Sequence, residues 1–152
     1  MKKHGFTLIE ILIAVAIIAI LTAIGIVSYN SVNKRARDAK RLGDMEQLRS
    51  SLEMYRSDFG YYPAVNPGSF DVASNLSTIL TVDNTYLPTI PTDPQSPHLY
   101  YYESTGQDPI TGKYYGYCLC ARLETQAVLS SSCTDTLPGT PQDTCNYGVR
   151  QP

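Results

Sequence analysis

From Phe6 to Tyr29 the chain is almost wholly apolar, and Glu10 is its one charged residue. At the helical rise these 24 residues measure about 36 Å, enough to cross a hydrocarbon core of about 30 Å. Beyond Tyr29 the pattern turns from continuous to periodic. Val32, Ala36, Ala39, Leu42, Met45, Leu48, Leu52, Tyr55 and Phe59 recur at spacings of three and four, which predicts one apolar stripe along a helix. No proline precedes Pro63 and Gly60 offers a stop, so a single helix is predicted from about Thr7 to Phe59. The alternative is a membrane anchor hinged near Gly25 or Gly43 to a separate soluble helix.

After Gly60 the pattern is that of a small mixed domain of 92 residues. So short a region makes a marginal core alone, and its stability must include packing on the second half of the helix. Ser69 to Thr81 reads as a short helix bearing Val72, Leu76, Ile79 and Leu80. Tyr86 to Pro94 holds three prolines in nine residues and reads as an ordered extended loop. Strands are predicted at Leu99 to Ser104, Tyr114 to Glu124 and Tyr147 to Arg150, with Gln107 to Gly112 as a turn-rich connection. In the second strand, Tyr115, Tyr117, Leu119, Ala121 and Leu123 share the face expected to pack on the helix. Cys118, Cys120, Arg122 and Glu124 share the opposite face. The fold class is α+β: a long N-terminal helix with a membrane-spanning first half, and a small antiparallel sheet packed on its second half.

Glu10 is the informative anomaly, because an acidic side chain near the start of a membrane-length helix is costly and asks for a partner. A removable secretory signal is one reading of the region, with Lys2, Lys3 and His4 as the basic leader. Such signals have apolar centres of about 7 to 15 residues and no reason to carry a glutamate, and here the helical pattern runs far past any cleavage point. Charge is also unevenly placed: seven basic and two acidic residues up to Arg41, five basic and twelve acidic from Leu42 onward. The net charge of −2 therefore hides a polarity of about +5 against −7. The cluster Lys34, Arg35, Arg37, Lys40 and Arg41 can face acidic heads of neighbouring copies, anionic lipid headgroups or solvent.

Gly5-Phe6-Thr7-Leu8-Ile9-Glu10 followed by an apolar helix resembles the N-terminus of type IV pilins and type II secretion pseudopilins. The resemblance is strong from Lys2 to about Tyr29 and general to Phe59. It implies a leader of residues 1–5 that an inner-membrane prepilin peptidase removes after Gly5, with methylation of the new amino group on Phe6. It also implies a filament-core helix over residues 6–29, a head-packing half over 30–60 and a β-rich head over 61–152. Glu10 takes the place of the family's assembly glutamate, and the amine exposed on Phe6 of one copy is its candidate partner on a neighbour. Many relatives carry a proline seventeen residues after that glutamate, where this chain has Val27. No proline kink is expected, although Gly25 can still loosen the helix. The proline-rich loop is similar to the segment that leads into the sheet of major secretion pseudopilins.

The resemblance also places the head outside the cytoplasm, where oxidising conditions favour disulfides for Cys118, Cys120, Cys133 and Cys145. A Cys118 to Cys120 bond is disfavoured, because residues two apart in a strand lie about 6.6 Å apart. That also disfavours its complement, Cys133 to Cys145, although pilins often bridge two cysteines in this terminal region. Cys118 to Cys145 with Cys120 to Cys133, and the crossed alternative, remain open, and a four-thiolate zinc site is a further alternative. Pseudopilins of this kind can hold calcium in a terminal loop; Asp135 and Asp143 are weak candidates, lacking a ligand-spaced motif. No metal or cofactor is otherwise expected. No nucleophile–base pair, phosphate loop or paired-carboxylate motif is present, so no catalytic residue and no enzyme activity are expected. The acidic head gives no support to nucleic-acid binding.

The function implied is a structural subunit of a type IV pilus-like or type II secretion pseudopilus filament. Its partners would be copies of itself, minor pilins, the prepilin peptidase and an inner-membrane assembly platform. Its location would be the inner membrane, single-pass with the head outside the cytoplasm, and then a periplasmic or cell-surface filament. The competing class is a membrane-anchored monomer whose head is a binding module.

Overall fold

The computed structural model describes residues 5–65, 71–95, 98–125 and 146–151. The chain divides into two compact units, residues 1–36 and residues 37–152. Helix α1 (Leu8–Phe59) runs without interruption through Gly25 and Gly43 and contributes to both. Its 52 residues correspond to about 78 Å. It ends where the sequence places its stop: Gly60 takes a φ of +80°, and its N–H donates to the Arg56 carbonyl at 2.7 Å. That left-handed turn suits glycine because no Cβ meets the backbone.

The chain then turns to the sheet, the Tyr62 N–H donating to the Tyr114 carbonyl at 2.8 Å. Helix α2 (Val72–Leu80) is shorter than Ser69 to Thr81 because Asp71 caps it. The Asp71 carboxylate accepts from the N–H groups of Ala73 and Ser74, so the helix begins where its free donors are satisfied. Val72, Leu76 and Leu80 enter the core and Ile79 packs against it. The segment from Tyr86 to Pro94 has no regular structure, yet it buries Leu87 and Asp93 brings it back to α1.

Three antiparallel strands follow in the order β1 (Tyr101–Gln107), β2 (Tyr114–Ala121), β3 (Tyr147–Gln151). The register sets Tyr102, Leu119 and Val149 in one row, and Ser104 opposite Tyr117. β1 starts two residues later than the sequence pattern gives, because the Tyr100 carbonyl accepts from the Val72 N–H of α2 instead. Met45, Leu48 and Leu52 of α1 pack against Tyr62, Tyr100, Tyr102, Tyr117, Leu119 and Ala121. As expected, the Tyr117, Leu119 and Ala121 face meets the helix, whereas Tyr115 at the strand start is 41 % exposed.

Two patterning expectations are corrected. Val32, Ala36, Ala39, Leu42 and Phe59 are exposed, and the buried stripe instead begins Asp38, Arg41, Met45, Leu48, Leu52. The spacing of three and four holds, but its first two positions are charged. Glu124 does not continue the back face of β2, because the strand ends at Ala121 and strict alternation ends with it. Cys118 and Cys120 do lie on the face opposite Leu119, and both are buried.

The tyrosines are held at both ends. Tyr100 donates its hydroxyl to Asp44 at 2.6 Å, Tyr62 to Glu53 at 3.0 Å and Tyr86 to Asp58 at 2.8 Å, all on α1. Tyr102 donates to the Pro63 carbonyl at 2.7 Å. Tyr62 and Tyr117 meet edge-on at 4.8 Å between ring centres. Their rings contribute apolar area while the hydroxyls avoid being stranded in the core.

Leu48→Ala should cost about 2–5 kcal/mol through the lost methyl groups and the cavity left behind. Leu42→Ala, on the exposed side of the same helix, should cost under about 1 kcal/mol. Chemical unfolding of the detergent-solubilised chain, followed by near-ultraviolet tyrosine dichroism, measures both.

Candidate assembly site

The N-terminal unit presents the features that the sequence singles out. Gly5 is exposed with open space around its Cα, and Phe6 is 84 % exposed. The described side chains of α1 from Leu8 to Ile26 are exposed, and the helix is long and apolar enough to cross a membrane. In water such a surface would be unfavourable along its whole length, so it demands lipid or other protein.

Glu10 has a partner within its own chain. Thr7 sits immediately before α1, and the Glu10 carboxylate oxygen Oε2 accepts from the Thr7 N–H at 2.8 Å and from its hydroxyl at 2.7 Å. The Glu10 N–H in turn donates to the Thr7 hydroxyl oxygen at 3.3 Å. This is a reciprocal capping box, in which the third helical residue and the cap satisfy each other's free donors. Thr7-Leu8-Ile9-Glu10 carries the signature of that box, and a reading focused on the charge alone misses Thr7. The structure thus places Gly5, Phe6 and Glu10 within one short stretch at the start of α1.

The second unit holds a polar centre that the sequence reading did not find. Arg41 is fully buried and makes a two-pronged contact with Asp93, Nε to Oδ2 at 2.8 Å and Nη2 to Oδ1 at 2.9 Å. Its Nη1 donates to Asp38 Oδ1 and to Glu124 Oε1, both at 2.9 Å. Arg37 grips Glu124 with Nε and Nη2, each at 2.6 Å. Asp38 accepts from the N–H groups of Glu124 and Thr125, each at 2.8 Å, and from the Thr125 hydroxyl at 2.6 Å. The available signal was an Asp38–Arg41 pair spaced three apart and in phase with Met45 and Leu48.

Electrostatics follow from these contacts. Hydrogen bonds from Arg37, reinforced by Arg41, hold the Glu124 carboxyl down at about 2 against the opposing effect of burial. Burial pushes Asp38 and Asp93 upward, but donated hydrogen bonds outweigh it and hold both below the usual carboxylate range. Asp93 brings the proline-rich loop to Arg41, while Asp38 and Glu124 bring in the segment that follows β2. The groups position chain segments.

Cys118 and Cys120 are not free thiols, and Cys133, Cys145, Asp135 and Asp143 lie outside the described residues. Among the described residues there is no group of three or more His, Cys, Asp or Glu side chains able to hold a metal ion. His98 is half-buried, in a cleft of about 460 Å³ with Asp71 and Asp93, both committed to the contacts above.

Comparison with known proteins bears on the family of the chain. The model of the prokaryotic N-terminal methylation motif matches residues 1–26, and that of type II secretion system (T2SS), protein G matches residues 29–143. The chain belongs to the type II secretion system protein G family. Type II secretion system core protein G of Klebsiella michiganensis is 28% identical over 152 residues, covering 96% of this chain and 94% of that protein. The core protein G of Escherichia coli K12 is 31% identical over 97 residues, 61% of this chain and 67% of that protein. Prepilin peptidase-dependent protein D of the same strain is 34% identical over 77 residues, 51% of this chain and 53% of that protein. No solved structure matches. For this protein G family member the long apolar helix and the small sheet head are now joined to a family in one chain.

The buried ion-pair centre predicts acid lability. The three carboxyls titrate lower in the folded chain than the ordinary value of about 4, so the unfolded chain takes up protons first as pH falls. Stability is therefore full above about pH 5 and declines as pH drops through about 4 towards 2. Thermal melts of the solubilised chain from pH 7 to pH 2.5 should show Tm falling over that window, with a shallower fall in Glu124→Gln.

Proposed function

We propose that this chain is a structural, non-enzymatic subunit of a type II secretion pseudopilus, working by polymerisation through α1. The observation that carries the reading is an exposed, membrane-length apolar helix opened by Gly5, Phe6 and a capped Glu10, in a member of the protein G family. A monomeric anchored binding module would need the span but not this opening sequence, and family membership favours the filament subunit.

In this reading a prepilin peptidase removes residues 1–5, and the amine exposed on Phe6 is methylated. The precursor waits in the inner membrane, single-pass, with its head outside the cytoplasm. Assembly, through an inner-membrane platform and with copies of itself and minor pilins, carries it into a periplasmic pseudopilus. The Phe6 amine of an incoming copy pairs with Glu10 of a neighbour as both leave lipid, which fixes their stagger. Competition with Thr7 is then built into the step, since Thr7 holds the same carboxylate beforehand. Disulfides joining Cys118 and Cys120 to Cys133 and Cys145 would tether the last segment across the back of the sheet.

Two measurements test this. Mass spectrometry of the membrane-extracted protein from cells with an active prepilin peptidase should find a chain beginning at Phe6 and carrying one added methyl group. Intact Met1 in those cells overturns the processing reading. Glu10→Ala should leave cleavage and insertion intact while sheared filament yield drops at least tenfold; wild-type filament yield would rule out the pairing.

A further inference from the structure

The basic cluster after the apolar stretch is divided by the structure into two kinds of cation. Arg37 and Arg41 turn to the head unit's own carboxylates. Lys34 and Arg35 are exposed, and among the described residues neither makes an ion pair. They follow the exposed Tyr29 by five and six residues on an uninterrupted helix. At the helical rise this is about 8–9 Å, while a headgroup layer reaches about 5–8 Å beyond the hydrocarbon on each side. Tyrosine is a residue favoured at that boundary, its ring at headgroup level.

We infer that Lys34 and Arg35 form a binding surface for anionic phospholipid headgroups in the leaflet on the head side. The inference rests on the membrane-spanning reading and adds a lipid class to it. Both side chains are long and carry donors matched to phosphate oxygens, and Arg35 can present two at once. Near an anionic surface each such cation favours contact by about fivefold, an effect that fades within a Debye length of about 8–10 Å. Lys40 belongs with Arg37 and Arg41 to the second compact unit and is not counted in this surface. A subunit leaving the bilayer must then release these headgroups, and anionic lipid content sets part of the barrier to its extraction.

The test uses the full chain with Tyr29→Trp as its single tryptophan, reconstituted in vesicles containing brominated phosphatidylglycerol or brominated phosphatidylcholine. Quenching should show phosphatidylglycerol preferred severalfold. The preference should fall to about one in Lys34→Gln/Arg35→Gln, persist in Lys40→Gln, and weaken with added salt. Equal quenching by the two lipids overturns the inference while leaving the membrane reading intact. Quenching by neither overturns the membrane reading itself. If equal quenching is joined by loss of self-crosslinking in the double variant, the two cations serve the acidic head of a second copy instead.

Discussion

A fully buried guanidinium organises the head. Arg41 cannot shed its charge, so every segment that closes over it must bring an acceptor, and three do: Asp38 on the same helix, Asp93 in the proline-rich loop and Glu124 after β2. Two of those acceptors lie far from Arg41 in sequence. The contact is therefore less a source of net stability than a selector of one arrangement. A chain that placed the loop or the end of β2 elsewhere would leave a charge unmatched in a dry site.

The same logic recurs more mildly along α1. Asp44, Glu53 and Asp58 receive hydroxyls from Tyr100, Tyr62 and Tyr86. These carboxylates contribute to the acidity of the chain beyond Arg41, and they are also the sockets in which the tyrosine rings are fixed. Acidity and aromatic content, which look like separate features of the composition, are two halves of one packing scheme.

Much of this was legible in the sequence. The extent of α1, its stop at Gly60, the irregular proline loop and the three strands follow from local rules on periodicity, turn residues and spacing, whereas the Gly5, Phe6 and Glu10 opening is singled out by its resemblance to the pilin N-terminus. What was not legible depended on tertiary contact. A hydrophobic count assigns the stripe to Val32, Ala36, Ala39 and Leu42, because it cannot know that Asp38 and Arg41 will find partners 52 to 87 residues away. For Glu124 the reason is the opposite one: alternation predicts a strand past Ala121, where the backbone leaves the sheet to reach Asp38. Thr7 has a local signature as half of a cap, but the cost of the Glu10 charge in lipid does not point to it.

The positive-φ turn at Gly60 and the charged pocket around Arg41 mark two ends of one rigid span. Each residue of an α-helix advances by about 100°, so adding or deleting one between Arg41 and Leu52 would swing Arg41 away from Asp93 and Glu124 while Leu52 kept its place. No loop lies within the span to absorb the change. Exchange of one side chain for another in that stretch leaves the phase between the charged pocket and the apolar core intact, whereas a change in the number of residues shifts it.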